Sequence, residues 1–272
     1  MSDGAQDLIG GQVPRPGWMS AQGSKSALAW LTARPIAHRG LHDPAQGIIE
    51  NTPSAAAAAV AGQYGIEADL QISADGEAMV HHDGALGRLA DGDGALRDLA
   101  AARLKQIPFW ATAERMMTLG DLCDLVASRV TLVLELKSRF DGDLRIAART
   151  AEVLRCYGGP VGVGSFDPAL IRELRRITPH VARGIIAERH YDHPEWRQLG
   201  AARKLRLAFL VHGWKSRPDF IAYRVRDLTT VAPRVARHMF GLPLLTWTVR
   251  SAEDRAIAAG FADQIIFEGF RP

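Results

Sequence analysis

The chain has 272 residues, of which 47% are hydrophobic and 23% are charged. This composition supplies a substantial apolar core and excludes a disordered protein. The formal net charge of +3 is too small to indicate nucleic-acid binding, and no stretch reaches the roughly 18 consecutive apolar residues of a transmembrane helix. We therefore expect a small-molecule partner, no nucleic acid and no membrane span.

The N-terminal residues show no signal-peptide pattern, and we predict a flexible tail over residues 1–23. The two cysteines, Cys123 and Cys156, lie in apolar segments of helical character without a CxxC spacing. Such cysteines are typical of buried, reduced thiols, so we predict a cytoplasmic protein.

Short apolar runs alternate with amphipathic ones from residue 24 onward. The apolar runs predict strands at residues 35–38, 66–71, 131–137, 161–165, 182–187, 219–224, 243–249 and 264–267. The amphipathic segments predict helices at residues 24–33, 53–63, 119–128, 144–156, 168–177, 194–211, 229–240 and 251–259. This alternation is typical of parallel βα units.

Eight parallel strands with outer helices form a closed (β/α)8 TIM barrel, so residues 24–272 are predicted to be one α/β barrel domain. An open doubly wound sheet is the alternative, but its first turn usually carries GxGxxG, whereas this chain reads HRGLH. No helix is predicted after the last strand. We expect helix 24–33 to help cover the outside of the barrel, or the bottom of the barrel to stay partly open.

Residues 73–117 interrupt the alternation of strands and helices. They contain the stretches DGEAMVHHD, RLADGDGALRDL and PFW, and they are too long for a simple βα loop. We predict a small insertion after the second strand, with a hairpin and an excursion beside the barrel mouth.

Carboxylates alternate with apolar residues in two predicted strands. Because side chains alternate faces along a strand, Glu67 and Asp69 lie opposite the apolar face, and Glu135 shares an inward face with Lys137. Carboxylates inside a barrel need a partner, and an all-oxygen cluster suits Mg²⁺ or Ca²⁺. The alternative is an antiparallel strand whose acidic face pairs with arginines.

The stretch PIAHRGLHDPAQGIIENTP, residues 35–53, ends its apolar start with His38 and Arg39 and places Glu50 near the next helix. His82 lies just past the acidic strand. Two histidines beside a metal site can act as general acid and base. Arg39 and Lys137 are suited to hold an anion, and Trp247 either forms the floor of the pocket or belongs to the core.

Seven motifs in order, AHRG, ENTP, EADLQIS, VHHD, LELK, VGSF and TWTV, closely resemble those of the glycerophosphodiester phosphodiesterases. The resemblance implies a TIM barrel with a divalent metal ion, which hydrolyses a small-molecule phosphodiester to sn-glycerol 3-phosphate and an alcohol. It implies the following roles: acid and base for His38 and His82, metal ligands for Glu67, Asp69 and Glu135, phosphate contacts for Arg39 and Lys137, and orientation or ligation nearby for Glu50. His81 stays an alternative to His82, because HHD leaves the register ambiguous by one residue.

The chain departs from the family pattern in three places. Arg250 stands where the family commonly has Asn after TWTV, and the last strand runs into IIFEGFRP instead of Thr-Asp before a proline. Residues 189–217 match no family motif. These departures leave the identity of the alcohol open.

Two other functions stay open at this point. The same groups would support phospholipase D-like transesterification of lysophospholipids, with an apolar rim from Phe109, Trp110, Phe166 and Trp247. A barrel that binds phosphodiesters without cleaving them is the second alternative, although such a protein has little use for two titrating imidazoles. The sequence does not indicate an oligomeric state.

Overall fold

The structure, a computed structural model, describes residues 28–272. Its strands are β1 (Ile36–Ala37), β2 (Gly65–Ile72), β3 (Ala78–Val80), β4 (Leu132–Leu136), β5 (Val161–Ser165), β6 (Ala182–Ala187), β7 (Phe220–Arg224), β8 (Leu244–Val249) and β9 (Gln264–Phe267). All except β3 run parallel, and β1 pairs with both β2 and β9. The sheet is therefore a closed barrel of eight parallel strands, as the sequence predicted.

The helices are α1 (Ala29–Thr32), α2 (Pro53–Ala61), α3 (Ala101–Leu104), α4 (Leu119–Val126), α5 (Arg145–Leu154), α6 (Pro168–Ile177), α7 (Ala201–Ala208), α8 (Gly213–Ser216), α9 (Val231–His238) and α10 (Ala252–Phe261). Thr52 and Asp167 cap α2 and α6 through their side chains, and each precedes a proline. This cap fixes where each helix starts, because the side-chain oxygen accepts from an otherwise unpaired backbone N–H. Within residues 28–272, no helix is long and apolar enough to cross a membrane.

The N-terminal helix closes the bottom of the barrel instead of covering its outside. Leu31 of α1 is fully buried and belongs to the same apolar cluster as Ile36, Phe220 and Leu245. The carbonyl of Trp30 accepts a hydrogen bond from Thr131, just before β4. The expectation of an outer helix or a partly open bottom was wrong, because α1 is short and uses its apolar side chains as a plug. The predicted tail, residues 1–23, and the start of the predicted helix lie outside the described residues.

Two other expectations need correction. The single helix predicted over residues 194–211 is a 3-10 turn, Pro194–Trp196, followed by α7 and then by α8. Gly200 separates the turn from α7, and Leu210 adopts a left-handed φ of 55° after α7.

The two cysteines, which the sequence predicted to be buried, differ in exposure. Cys123 is buried, but Cys156 is exposed because α5 ends two residues before it; both thiols are free.

The insertion at residues 73–117 forms the predicted hairpin and its own small core. β3 pairs antiparallel with β2, with Leu70 opposite Val80. An apolar cluster follows the hairpin and includes Met79, Leu104 and Phe109. The insertion thus stands on the acidic strand β2 and covers one side of the barrel mouth.

Small residues on β5 and β6 make room for a large ring inside the barrel. Phe220 is fully buried. A Cβ atom added at Gly184 would come within 2.2 Å of this ring, and one at Gly162 within 3.1 Å. The ring and the two glycines therefore form one interlocked layer of the barrel interior.

We expect Gly184→Ala to lower the free energy of unfolding by ~1–3 kcal/mol, because the new methyl group overpacks the layer around Phe220. Urea denaturation followed by circular dichroism measures this change. The matched control is Gly260→Ala in α10, where an added Cβ meets nothing within 4 Å. Equal stability of the two variants would contradict the interlocked layer.

Candidate active site

A cavity of about 940 Å³ opens at the carboxyl ends of the barrel strands. One side of the cavity carries the charged residues predicted from the sequence. These lining residues are His38, Arg39, Glu67, His82, Glu135 and Lys137, and Trp247 lines the cavity as well. Asp69 lies beneath them and is buried. Of the nine predicted site residues, only Glu50 lies outside both the lining and the carboxylate cluster below it.

The three predicted metal ligands converge in this cavity. Glu67 and Asp69 point to the same side of β2, and Asp69 is the parallel partner of Glu135 on β4. One oxygen from each carboxylate lies within 4.8 Å of the others. The alternation of faces along a strand therefore places them as the sequence predicted.

Two cations and one amide hold Asp69 in place. The Lys137 ammonium lies 2.8 Å from Asp69 Oδ1 and 2.8 Å from Glu135 Oε1. Arg39 Nε lies 3.3 Å from Asp69 Oδ2. The side-chain amide of Asn51 donates to the same oxygen at 2.9 Å. These three contacts leave Asp69 little freedom to turn away from the cluster.

The pKa values of the carboxylates reflect this uneven distribution of charge. Burial acts to raise the pKa of Asp69, but Lys137, His82 and Arg39 together hold it well below its usual range. Burial, with repulsion from Asp69 and Glu135, raises the pKa of Glu67. Burial also raises the pKa of Glu135, against the opposing charge of Lys137. Two cations thus compensate Asp69, and Glu135 shares one of them, Lys137, so the cluster as a whole carries more negative than positive charge.

This shortage of positive charge around the three carboxylates fits the binding of a hard divalent cation. Carboxylate oxygens are the ligands preferred by Mg²⁺ and Ca²⁺, and three of them within 4.8 Å of one another could share one ion. Gathering buried like charges without a cation is energetically unfavourable. The acidic residues of β2 and β4 therefore form a site that could hold a metal ion.

His38 directly follows β1 at the barrel mouth and is buried. Its Nδ1 lies 2.7 Å from Glu268 Oε2, and its Nε2 lies 3.9 Å from Glu67 Oε2. Burial lowers the pKa of His38, although the bond to Glu268 acts to raise it. Arg250 donates to the same Glu268 oxygen at 2.9 Å. Glu268 was missed from the sequence, although it is the first residue after β9 and therefore lies at the same rim.

The two histidines of VHHD lie in different places. His82 lines the cavity, with Nδ1 2.8 Å from Asp83 Oδ1. His81 is buried beneath it, its ring stacks on Phe109 at 6.3 Å, and burial lowers its pKa to about 4. The one-residue ambiguity in the sequence thus corresponds to one side chain at the cavity and one in the core of the insertion.

Glu50 supports the cavity wall from behind. It accepts from Arg39 at 2.7 Å and from Arg88 at 2.6 Å. Arg88 also pairs with Asp83, next to His82. Glu50 therefore orients Arg39 and connects it to the insertion, and Arg88 is a second residue that sequence reasoning missed because it lies in the irregular segment.

The opposite side of the cavity is aromatic. Phe166 packs 4.8 Å from the ring of Trp196 and 5.5 Å from the ring of Trp247. Phe109 and Trp110, expected in an apolar rim, lie in the insertion and do not line the cavity. Of the four aromatic residues proposed for that rim, two are therefore present and two are not.

A buried carboxylate, Glu188, lies between this aromatic wall and the solvent. It accepts from Trp196 Nε1 at 2.6 Å and from Arg224 at 3.2 Å. Burial raises its pKa to about 7, although Arg224 and the Trp196 bond act to lower it. Sequence reasoning did not single out this residue, which directly follows β6.

Residues 38–265 match the model of the Glycerophosphoryl diester phosphodiesterase family. A curated relative, the glycerophosphodiester phosphodiesterase of Caldanaerobacter subterraneus subsp. tengcongensis, is 26% identical over 239 residues, which are 83% of this chain and 90% of the relative.

Solved structures share the fold. An Oleispira antarctica phosphodiesterase in complex with the product sn-glycerol-3-phosphate superimposes with a TM-score of 0.70 at 21% identity, covering 88% of this chain and 94% of the other. A Thermotoga maritima glycerophosphodiester phosphodiesterase gives a TM-score of 0.64 at 23% identity, with 85% and 92% covered. These likenesses agree with the barrel described above.

We expect Glu188→Gln to stabilise the protein more at pH 8 than at pH 5. The folded pKa of about 7 exceeds the unfolded value of about 4.5, so the protonated carboxyl favours folding at low pH. This contribution is lost as the pH rises through about 7. The glutamine side chain carries no charge and still accepts from Trp196. The stabilisation by Glu188→Gln should be ~1–3 kcal/mol larger at pH 8 than at pH 5.

Urea denaturation at both pH values measures this difference. The control is Glu253→Gln, an exposed carboxylate on α10, whose effect should stay below about 0.5 kcal/mol. A Glu188→Gln variant with the same pH dependence as the unmodified protein would show that this carboxylate carries no buried charge.

Proposed function

Because the chain belongs to the glycerophosphoryl diester phosphodiesterase family, we propose that it hydrolyses glycerophosphodiesters to sn-glycerol 3-phosphate and an alcohol. The family predicted from the seven motifs is confirmed. The prediction of a glycerophosphodiester phosphodiesterase is confirmed at the level of the family. The observation that carries the proposal is the gathering of Glu67, Asp69 and Glu135 beside two imidazoles in one cavity.

We assign the metal ion to these three carboxylates. Mg²⁺ and Ca²⁺ both suit an all-oxygen site of this kind. When bound there, the ion would neutralise the charge that develops on the phosphate oxygens. Lys137 and Asn51, which hold Asp69, keep the ligand oxygens in position.

We propose that Arg39 and Lys137 bind the phosphate oxygens of the substrate. The buried Nε of Arg39 has no hydrogen-bond acceptor within residues 28–272, although Asp69 is near. The ammonium of Lys137 has three donors, and its two carboxylate partners use two of them. Both side chains thus retain a donor for a substrate anion, and the backbone turn at Arg39, with φ of 56°, directs its side chain toward Asp69.

We assign proton transfer to His38 and His82. One imidazole takes the proton from the attacking hydroxyl, whose oxygen forms the new bond to phosphorus. If this hydroxyl belongs to water, glycerol 3-phosphate forms directly; if it belongs to the glycerol moiety, a cyclic phosphate forms, and a water molecule then attacks phosphorus and opens the ring to glycerol 3-phosphate. The bond to the alcohol oxygen breaks, and the other imidazole donates a proton to that oxygen. Glu268 and Asp83 each contact the Nδ1 atom of one histidine, which leaves Nε2 available for this exchange.

The aromatic wall of Phe166, Trp196 and Trp247 would contact the departing alcohol. This wall is compatible with a small polar alcohol and with an acyl chain, so lysophospholipids stay a substrate alternative. The free thiols of Cys123 and Cys156 favour a reducing compartment, and we propose the cytoplasm as the site of action.

We expect release of glycerol 3-phosphate from glycerophosphocholine to stop when a chelator is added and to return with Mg²⁺ or Ca²⁺. Glu135→Gln should raise the metal concentration for half-maximal activity by at least about tenfold, because it removes one charged ligand. A coupled assay of glycerol 3-phosphate measures both effects.

Glu173→Gln is the matched control, since Glu173 pairs with Arg176 on α6, remote from the cavity. It should keep the metal dependence of the unmodified protein. Full turnover in the presence of chelator would overturn the metal assignment, and faster turnover of a lysophospholipid than of glycerophosphocholine would replace the proposed substrate.

We expect His38→Ala and His82→Ala each to lower kcat by ~10²–10⁴-fold while the protein stays folded, because each removes one proton-transfer group. Steady-state kinetics with circular dichroism as a folding check measure this loss. His180→Ala, an exposed histidine after α6, serves as the control. A doubly substituted protein that retains turnover would exclude the two imidazoles as acid and base.

A further inference from the structure

A surface patch of apolar side chains lies on α7 and the segment that follows it. Its members, Leu205, Phe209, Val211 and Trp214, expose 56%, 42%, 56% and 72% of their surface. Leu205 and Phe209 are four residues apart and share one face of α7, whereas Leu207 and Ala208 are buried. Large apolar residues grouped in this way on a protein surface mark an interaction site.

The same segment is strongly basic. Residues 197–217 contain six basic residues and no Asp or Glu, although the whole chain has a net charge of only +3. The basic residues are Arg197, Arg203, Lys204, Arg206, Lys215 and Arg217. In residues 28–272, none of these six forms an ion pair with a carboxylate. Their charge is therefore available to an anionic partner.

Four contacts place the α7 part of this patch beside the loops at the mouth of the barrel. The Arg189 guanidinium, just after β6, lies 4.6 Å from the ring centre of Phe209. Lys204 donates to the carbonyl of Tyr191 in the same cavity loop. Arg203 lies over Phe140, in the loop after β4, and Tyr223, near the end of β7, donates to Ala208. The α7 part of the patch therefore lies beside the loops at the cavity opening, whereas Trp214 and Lys215 lie next to the end of α6, where the Lys215 carbonyl accepts from Arg175.

We propose that this patch docks the protein on an anionic phospholipid bilayer. Exposed Leu, Phe, Val and Trp side chains beside Lys and Arg are the composition of segments that lie in a membrane interface. The apolar side chains would enter the boundary between headgroups and acyl chains, and the basic side chains would contact lipid phosphates.

The charge pattern favours a bilayer over other occupants. In a two-fold dimer the same patch would meet itself, and six positive charges would face six others with no carboxylate among them. A nucleic acid would satisfy the charges, but the aliphatic side chains of Leu205 and Val211 neither stack on bases nor form hydrogen bonds with them. Only the bilayer uses both the apolar and the basic side chains.

Co-sedimentation with two kinds of lipid vesicle tests the proposal. We expect the full chain to bind vesicles containing phosphatidylglycerol and to bind pure phosphatidylcholine vesicles at least tenfold more weakly, with binding reduced by added salt. Leu205→Ser combined with Trp214→Ser, and separately Arg206→Gln with Lys215→Gln, should each weaken binding about tenfold or more.

The matched control is Met239→Ser with Phe240→Ser. These residues are 75% and 72% exposed and lie between α9 and β8, outside the patch. This variant should bind vesicles as the unmodified protein does, which distinguishes docking through the patch from general surface hydrophobicity.

Three results would overturn the proposal. They are no binding to anionic vesicles, equal loss of binding in the control variant, and binding of single-stranded nucleic acid in place of vesicles. A dimer that dissociates with Leu205→Ser and Trp214→Ser, without any vesicle binding, would identify the patch as a contact between two copies. The test does not depend on the proposed reaction, because vesicle binding is measured without substrate.

Discussion

Three carboxylates with too little positive charge around them set the chemistry of this barrel. Burying an ionised carboxylate costs several kcal/mol unless a cation or hydrogen bonds compensate. Lys137, Arg39 and Asn51 compensate Asp69, but Glu67 and Glu135 share the same space with less support. The protein keeps this arrangement because the parallel register of β2 and β4 fixes which side chains face each other.

The rest of the fold supports this register. The plug formed by α1 and the layer around Phe220 fill the barrel below the carboxylates with apolar side chains. The pairing of β1 with β9 closes the barrel and brings His38 to Glu268, although 230 residues separate them. A closed, well-packed cylinder is therefore what allows buried charges to be held in a fixed geometry.

The eight strands and the inward carboxylates followed from the sequence because they depend on local periodicity, which has a fixed physical meaning in a strand. The contact between His38 and Glu268 did not, because it depends on how the barrel closes. The role of α1 as a plug was also unpredictable, since an apolar helix face indicates burial but not the surface that buries it. Choosing His82 over His81 from the sequence needed family motifs, because one residue of register reverses the face.

The segment at residues 189–217 resembled no family motif, and in the structure it supplies Trp196 of the aromatic wall, which donates to Glu188, and the exposed basic patch. Its apolar residues are consistent with a core-facing helix, and only their exposure in the structure distinguishes an exposed apolar patch from a buried helix face. Variation in this segment alters the surroundings of the cavity without altering the carboxylate cluster, because the two are carried by different strands.

The central claim, that the carboxylates of β2 and β4 hold one hard cation, is tested most directly by anomalous diffraction from crystals grown with Mn²⁺ in place of Mg²⁺. We predict a single strong anomalous peak within bonding distance of Glu67, Asp69 and Glu135. A peak elsewhere, for example at His38, His42 and Glu268, which also lie close enough to share an ion, would contradict this claim, as would no peak at all.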